Sequence, residues 1–412
     1  MKQVWGFAIL ATIVMGCGSD SAGNPEPGNA TTVSPSNSGS GSASPAANVA
    51  GNTPLHVSLG LNHGCAVTSS GGVRCWGLPD EGQLGNGESQ PEGEAVPEPV
   101  AATGLNSGMV AVAAGGYHSC ALGKDGSVQC WGKNGFGQLG NDSSEDSAIP
   151  VAVSGLPAAV EIQAGYGHTC ARLEDDTLRC WGSNRWGELG DGSSDMSGQS
   201  DAHTPREVPG LGPVLSFALG VDNTCAVTRS GSAKCWGNNN SGQLGTGTTE
   251  AAPSPVQVVG LETGVTQIGV GSSVGCAVTA QGTAKCWGDN NRGQLGDKTT
   301  VRSLLPVDVS DLTDAVVIQP GYVHTCVLTT DASVKCWGDG SNGQLGSHTD
   351  ADNKSQPGPG LSGVVQLSSQ GSSNCAVLSS PKTIQCWGSN SYGVLGTDGG
   401  GSARTPQTLP GF

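Results

Sequence analysis

The stretch Cys120–Gly140 reads C-A-L-G-K-D-G-S-V-Q-C-W-G-K-N-G-F-G-Q-L-G and recurs, with small changes, seven times along the 412-residue chain. C-W-G begins at Cys75, Cys130, Cys180, Cys235, Cys286, Cys336 and Cys386. A second cysteine precedes each, at Cys65, Cys120, Cys170, Cys225, Cys276, Cys326 and Cys375. Self-similarity with a period of about 50 to 55 residues marks a repeat architecture, in which each unit is one supersecondary element.

Two residues after each first cysteine stands an apolar residue, Val67, Leu122, Val227, Val278, Leu328 or Val377, with Arg172 as the exception. Two residues before each second cysteine stand Val73, Val128, Leu178, Ala233, Ala284, Val334 and Ile384. Alternation with period 2 predicts two strands, and the intervening S-S-G-G, K-D-G-S or T-D-A-S turns predict a hairpin. A hairpin symmetric about its turn sets the two cysteines directly cross-strand, so a disulfide spans each one. The tryptophan of C-W-G then lies on the other face, opposite Gly64, Ser119, Thr169, Thr224, Gly275, Thr325 or Asn374. Sheets covered on both faces must stack. A further strand such as L-H-V-S-L-G opens each unit, and a Pro-containing edge segment such as I-P-V-A-V at Ile149 follows G-Q-L-G. Seven four-stranded antiparallel sheets close most simply into an all-β, seven-bladed β-propeller. The final T-P-Q-T-L-P-G-F has the look of a fourth strand, and whether it completes the blade begun by the N-terminus is left open.

Charged residues are only 13% of the chain and glycine numbers 68, values that suit a turn-dense β protein. Of the fifteen cysteines, fourteen fall into within-repeat pairs, which implies an oxidising compartment. Each bridge closes a loop worth roughly 2.5 to 3 kcal/mol in the chain-entropy account. Two cross-strand sulfurs lack the further pair that a tetrahedral zinc site needs, so no metal or other cofactor is expected. The net charge of -16 repels phosphate and argues against a nucleic-acid partner.

Cys17 is the cysteine left over. The run M-K-Q-V-W-G-F-A-I-L-A-T-I-V-M-G before it is too short for a good membrane span and reads as an export signal. Val14-Met15-Gly16-Cys17 resembles a bacterial lipoprotein signal, which implies cleavage after residue 16 and lipidation of Cys17. Residues 17–52 read as a disordered Gly, Ser, Pro and Asn tether and 53–412 as the propeller. The expected location is a bacterial cell envelope, at the outer membrane or cell surface, with the lipid as the only membrane contact.

The set G-x-x-H-x-C-A-[VL], turn, C-W-G, G-Q-L-G resembles the repeat of the regulator of chromosome condensation family, over about residues 53 to 412. The resemblance implies a seven-bladed propeller. Guanine-nucleotide exchange is an alternative that the resemblance carries, although a long wedge-like insertion is not evident and export would separate the chain from a cytosolic GTPase. Bacterial relatives include a secreted β-lactamase inhibitor, so the fold also serves as a pure binding surface.

His63, His118, His168 and His324 stand two residues before the first cysteine and are read as structural hydrogen-bonding groups rather than a metal or catalytic site. The column Arg74, Gln129, Arg179, Lys234, Lys285, Lys335 and Gln385 is read as blade-to-blade packing rather than an anion-binding ring. Acidic residues gather after G-Q-L-G: Glu88, Glu92, Glu94 and Glu98, then Asp142, Glu145 and Asp146, then Asp191, Asp195 and Asp201. Those loops differ most between repeats, so they are the expected partner-binding surface. No nucleophile elbow, zincin, phosphate loop or dinucleotide fingerprint is present, and the expectation is a monomeric, non-enzymatic scaffold for a protein or glycan. A carbohydrate-binding or inhibitory propeller is the other alternative.

Overall fold

The computed structural model describes residues 52–88, 94–347, 356–398 and 400–412. The signal, Cys17, the tether and Glu92 lie outside the described residues. In blade 1, β1 (Pro54–Leu59), β2 (His63–Thr68), β3 (Val73–Gly77) and β4 (Val96–Ala101) form one sheet in that order. Six further four-stranded antiparallel sheets follow in sequence, over 109–152, 159–207, 214–257, 265–308, 315–357 and 364–408. The structure is a seven-bladed β-propeller in which every blade is made from consecutive strands. The terminal strand Ser402–Thr408 pairs with the last blade's own third strand, so no blade is shared between the termini.

The hairpin register is the one that the cysteine spacing demands. Cys65 faces Cys75 and Cys120 faces Cys130 across their strands, and the same holds in all seven blades. Seven disulfides result, with Cα atoms 4.0 to 4.2 Å apart and the cysteines buried. On the opposite face each C-W-G tryptophan is fully buried against the neighbouring blade. An indole N–H in such a place needs an acceptor. Trp131, Trp181, Trp236, Trp287, Trp337 and Trp387 donate to the backbone carbonyls of Gln83, Gln138, Glu188, Gln243, Gln294 and Gln344 of the preceding blade, at 2.8 to 3.1 Å. Trp76 completes the circle by donating to the Val394 carbonyl of the last blade at 2.8 Å. The second glycine of G-Q-L-G is required by the same contact. Gly140 has φ 66°, and a Cβ there would stand 2.7 Å from the Trp181 Nε1.

The innermost strands tie successive blades together by side-chain clamps on backbone. Gln366 accepts from the Val57 N–H at 2.8 Å and donates to the Val57 carbonyl at 2.9 Å, while Ser368 Oγ accepts from the Leu59 N–H at 3.0 Å. These contacts close the seam between blades 7 and 1 without a covalent link. At the seam between blades 3 and 4 an ionic chain does related work, and it explains the Arg172 exception. Arg172 bonds Glu161 at 3.1 Å and Asp176 at 2.9 Å, and Asp176 also takes Arg229 of blade 4.

The histidine column is a structural relay. His63, His118 and His168 Nε2 lie 2.8 to 2.9 Å from Ser119, Thr169 and Thr224 Oγ of the next blade, and His324 Nε2 is 2.9 Å from Asn374 Oδ1. Ser119, Thr169 and Thr224 donate onward to the same carbonyls that accept the indole N–H groups. Burial pushes the imidazoles of His63, His118 and His168 down to about 3 and that of His324 to about 4. The basic column serves its own blade and the connectors beside it, and only part of it packs blade to blade. Arg179 pairs with its cross-strand neighbour Glu207 and Lys285 with Asp308 within their own blades, whereas Lys335 reaches Asp314 and Lys234 the Gly210 carbonyl in the connectors that enter theirs. The outermost strand presents carboxylates directly beside the column, and this satisfies the basic heads locally.

A histidine neutral in the folded state and protonated at about 6.5 when unfolded stabilises the fold fully above that pH, and its contribution falls as pH drops toward the folded value. Between pH 6.5 and 5.0 the slope contributed by each of the four rises from about half of 1.4 kcal/mol per pH unit to nearly that full value. Urea denaturation of oxidised protein across this range is expected to show His118→Gln with a slope shallower by about that amount than the parent. An unchanged slope would contradict the buried, neutral assignment.

Candidate functional site

Strand direction sorts the loops onto two faces. The turns between first and second strands and the long loops between third and fourth strands share one face, while the tight hairpin turns and the blade-to-blade connectors share the other. The first face has two zones. An outer rim carries the third-to-fourth loops, and an inner ring carries the first-to-second turns.

Five of the seven outer loops fold around one asparagine, and Pro79 and Gly340 take that position in the other two. Asn134, Asn184, Asn239, Asn290 and Asn390 occupy the second position after C-W-G, and each Oδ1 accepts the N–H of the leucine in G-[QEV]-L-G at 2.9 to 3.1 Å. Asn134 Nδ2 also donates to Asn141 Oδ1 and to the carbonyls of Ser143 and Glu145, at 2.9 to 3.1 Å. Asn239 and Asn290 hold their loops in the same way. The C-W-G-x-N signal was in the sequence, but within the polar turn it was indistinguishable from ordinary turn chemistry.

The acidic residues divide accordingly. Asp146 Oδ1 accepts from the Asn134 N–H at 2.6 Å, and Asp201 Oδ1 from the Asn184 N–H at 2.8 Å. Asp191 pairs with Arg206 at 2.9 Å and accepts from Ser193, and Asp195 accepts from Ser197. These four shape the loops that carry them. Asp142, Glu145, Glu88 and Glu94 are exposed, and Glu98 stands on β4 rather than in a loop. Among the described residues no group of three or more His, Cys, Asp or Glu side chains is placed to hold a metal ion.

The inner ring carries residues that the repeat pattern did not single out. Its turns are linked around the axis by backbone bonds, Leu61 N–H to Gly115 O, Gly116 N–H to Gly165 O, Tyr166 N–H to Gly220 O and Tyr322 N–H to Gly371 O, at 2.8 to 3.2 Å. Gly60 and Gly271 stand where this approach is tight, since a Cβ there would meet the Gly115 and Gly321 carbonyls at 2.3 and 2.2 Å. The positions that point out of the ring vary, and they include Tyr117, Tyr166, Asp222 and Tyr322. Tyr117 and Tyr166 meet edge to face, with ring centroids 5.8 Å apart and planes at 81°. Burial, then the neighbouring Tyr166, Tyr117 and Asp222, push the Tyr322 phenol up to about 12. Tyr117 is likewise raised, by burial first and by Tyr166 next. Farther out, Arg185 lies over the Phe136 ring at 4.8 Å, and Lys133 pairs with Glu81 at 2.6 Å. Together with Trp186 and the 45% exposed Tyr392, this face holds all four tyrosines of the chain.

These features define a closed, disulfide-stapled propeller with one aromatic-bearing face. The RCC1-like domain matches residues 6–272, and the regulator of chromosome condensation (RCC1) repeat matches 265–294, 319–344 and 282–328. The chain belongs to the RCC1-like family. It is 35% identical over 249 residues to the human E3 ubiquitin-protein ligase HERC2, covering 59% of this chain and 5% of that protein. It is 32% identical over 282 residues to the ultraviolet-B receptor UVR8 of Arabidopsis thaliana, covering 67% of this chain and 62% of the receptor. The chain thus spans a small part of the ligase and less than two thirds of the receptor. In fold it resembles Prp20p of Saccharomyces cerevisiae, with TM-score 0.72, 21% identity, and coverage of 82% of this chain and 85% of that one. Human WBSCR16 is similar at TM-score 0.71 and 22% identity, over 82% and 93%.

Truncating Asn134 to Ala strips the 141–146 loop of its internal partners. The expected cost is about 2 to 3 kcal/mol in denaturation, with faster amide exchange confined to that loop. Unchanged stability and exchange would show that the loop does not depend on this side chain.

Proposed function

We propose that the chain is an exported, lipid-anchored and non-catalytic binding propeller of the bacterial envelope, which engages a protein partner through the face that carries the third-to-fourth loops. The observation that carries this reading is the asymmetry of the two faces. Both sides carry exposed acids, but the hairpin turns of one side bear no aromatic residue, whereas the other combines Tyr117, Tyr166, Tyr322, Tyr392, Phe136 and Trp186. Aromatic anchors within a polar rim are the composition of protein-recognition surfaces. Rigidity helps, because turns bonded to one another and loops folded on a buried asparagine lose little freedom on binding. Asp142, Glu145, Glu88 and Glu94 supply the acidic rim, which favours a partner of neutral or basic surface. The cysteine pairing and the leftover Cys17 support export and lipidation. The RCC1-like membership supports a propeller used for binding and leaves nucleotide exchange as the rival.

The test is made on the full chain in its own cell. A photo-crosslinking amino acid at Phe136 is expected to trap a discrete partner in the envelope fraction, while the same group at Lys124 on the opposite face traps none. Intact mass is expected to show an acyl adduct on Cys17. Recovery of unlipidated protein from the cytosol, or trapping from Lys124 alone, would overturn the reading.

A further inference from the structure

The fourteen residues at the tips of the inner turns include a single carboxylate, Asp222, and three phenols, Tyr117, Tyr166 and Tyr322. We propose that Tyr117, Tyr166, Tyr322 and Asp222 form a cage at the mouth of the ring for one organic ammonium group, either a small free cation or the end of a lysine side chain on a polypeptide. The inference rests on the reading of this face as the binding face and names the chemistry at its centre.

The arrangement follows from the circle. Blades 2, 3 and 6 contribute the phenols and blade 4 the carboxylate, so the four approach the axis from different directions. Tyr117 and Tyr166 stand nearly perpendicular, as two walls of a box. Tyr322 comes from across the ring, and after burial the causes that raise its phenol are Tyr166, Tyr117 and Asp222. Phenols are neutral near pH 7, and burial raises those of Tyr322 and Tyr117 further, so the rings offer their negative faces and no competing charge. Aromatic faces about a cation, with one anion to balance it, are the recurrent solution for ammonium recognition, and the gain grows as the site is desolvated.

Asp222 is available for this role. It is half-buried, burial raises its carboxyl while a hydrogen bond from Asn238 and the charge of Arg185 oppose that rise, and among the described residues no cation stands within 4.0 Å of it. Arg185, the nearby cation, is exposed and engaged on Phe136 instead. The charge of -16 draws cations toward the protein from a distance. A neutral guest would desolvate Asp222 further without supplying a countercharge, which makes the cage selective against neutral groups of the same shape.

Titration calorimetry and aromatic NMR shifts with choline, and with its neutral isostere 3,3-dimethyl-1-butanol, test the proposal on the oxidised protein. Choline is expected to shift the Tyr117, Tyr166 and Tyr322 resonances at concentrations up to about 10 mM, with the isostere at least about fivefold weaker. Asp222→Asn is expected to remove that preference, and Tyr322→Leu to weaken choline binding by about fivefold. Asp125→Asn, in a hairpin turn of the opposite face, leaves both unchanged. Nα-acetyl-lysine methylamide separates the two sources: binding beside choline assigns a side-chain site, and choline alone assigns a small-molecule site. Equal response to the isostere, absence of shifts, or binding unaffected by Asp222→Asn would overturn the cage. The Phe136 cross-link reports independently on the face, so a trapped partner without choline binding removes the cage and leaves the binding face intact.

Discussion

The ring depends on one hydrogen bond made seven times: a buried indole N–H of each blade donating to a loop carbonyl of the blade before it. Each blade is a small sheet with two faces to cover, and the tryptophan supplies the apolar area for one of them. The bond sets the angle and depth at which that area is buried, because a fully buried indole without an acceptor would cost about 1 to 3 kcal/mol. The glycine of G-Q-L-G, the hydroxyl opposite the tryptophan and the histidine behind it all serve this joint. Seven equal joints leave no free edge face, and the last seam is closed by Trp76 and Gln366 rather than by a strand exchanged between termini.

Disulfide and tryptophan divide the labour between the two sides of the central hairpin. The cysteine pair fixes register within a blade, so every side chain of β2 and β3 and their counterparts is committed to its face. The tryptophan then fixes one blade upon another. Where the pattern lapses, the substitutes are local. Gly64 and Gly275 replace the hydroxyl, and there a Cβ would press on Trp76 and Trp287, so the indole itself fills the space. At Glu188 a buried carboxyl stands in for glutamine and is satisfied by Ser183 and the Trp186 N–H.

Most of this frame was legible in the sequence because repetition averages the noise of any one unit. Cysteine spacing, period-2 neighbours and the tryptophan column gave register, pairing and blade number. The histidines were correctly read as structural for the same reason, since groups in equivalent blades point around a circle. What lay beyond reach was the part that does not repeat. Tyr117, Tyr166, Asp222 and Tyr322 occupy turn positions that differ from blade to blade and meet only because the ring closes. The basic column packs between blades only in part: Lys335 and Lys234 reach connectors, but Glu207 and Asp308, the acids of Arg179 and Lys285, come from an edge strand whose register is interrupted by a bulge. The acidic loops were found, but four of their carboxylates are spent on the loops' own shape.

The most direct test of the closed ring is hydrogen exchange of the tryptophan indoles, followed by NMR in the oxidised protein. The account predicts that the seven C-W-G indoles, Trp76 included, exchange slowly and within about tenfold of one another, limited by a shared opening. Trp186, half-exposed on the binding face, should exchange fast in the same spectrum. If Trp76 instead exchanged orders of magnitude faster than its six counterparts, the seam between the last blade and the first would be open, and the ring would be an arc.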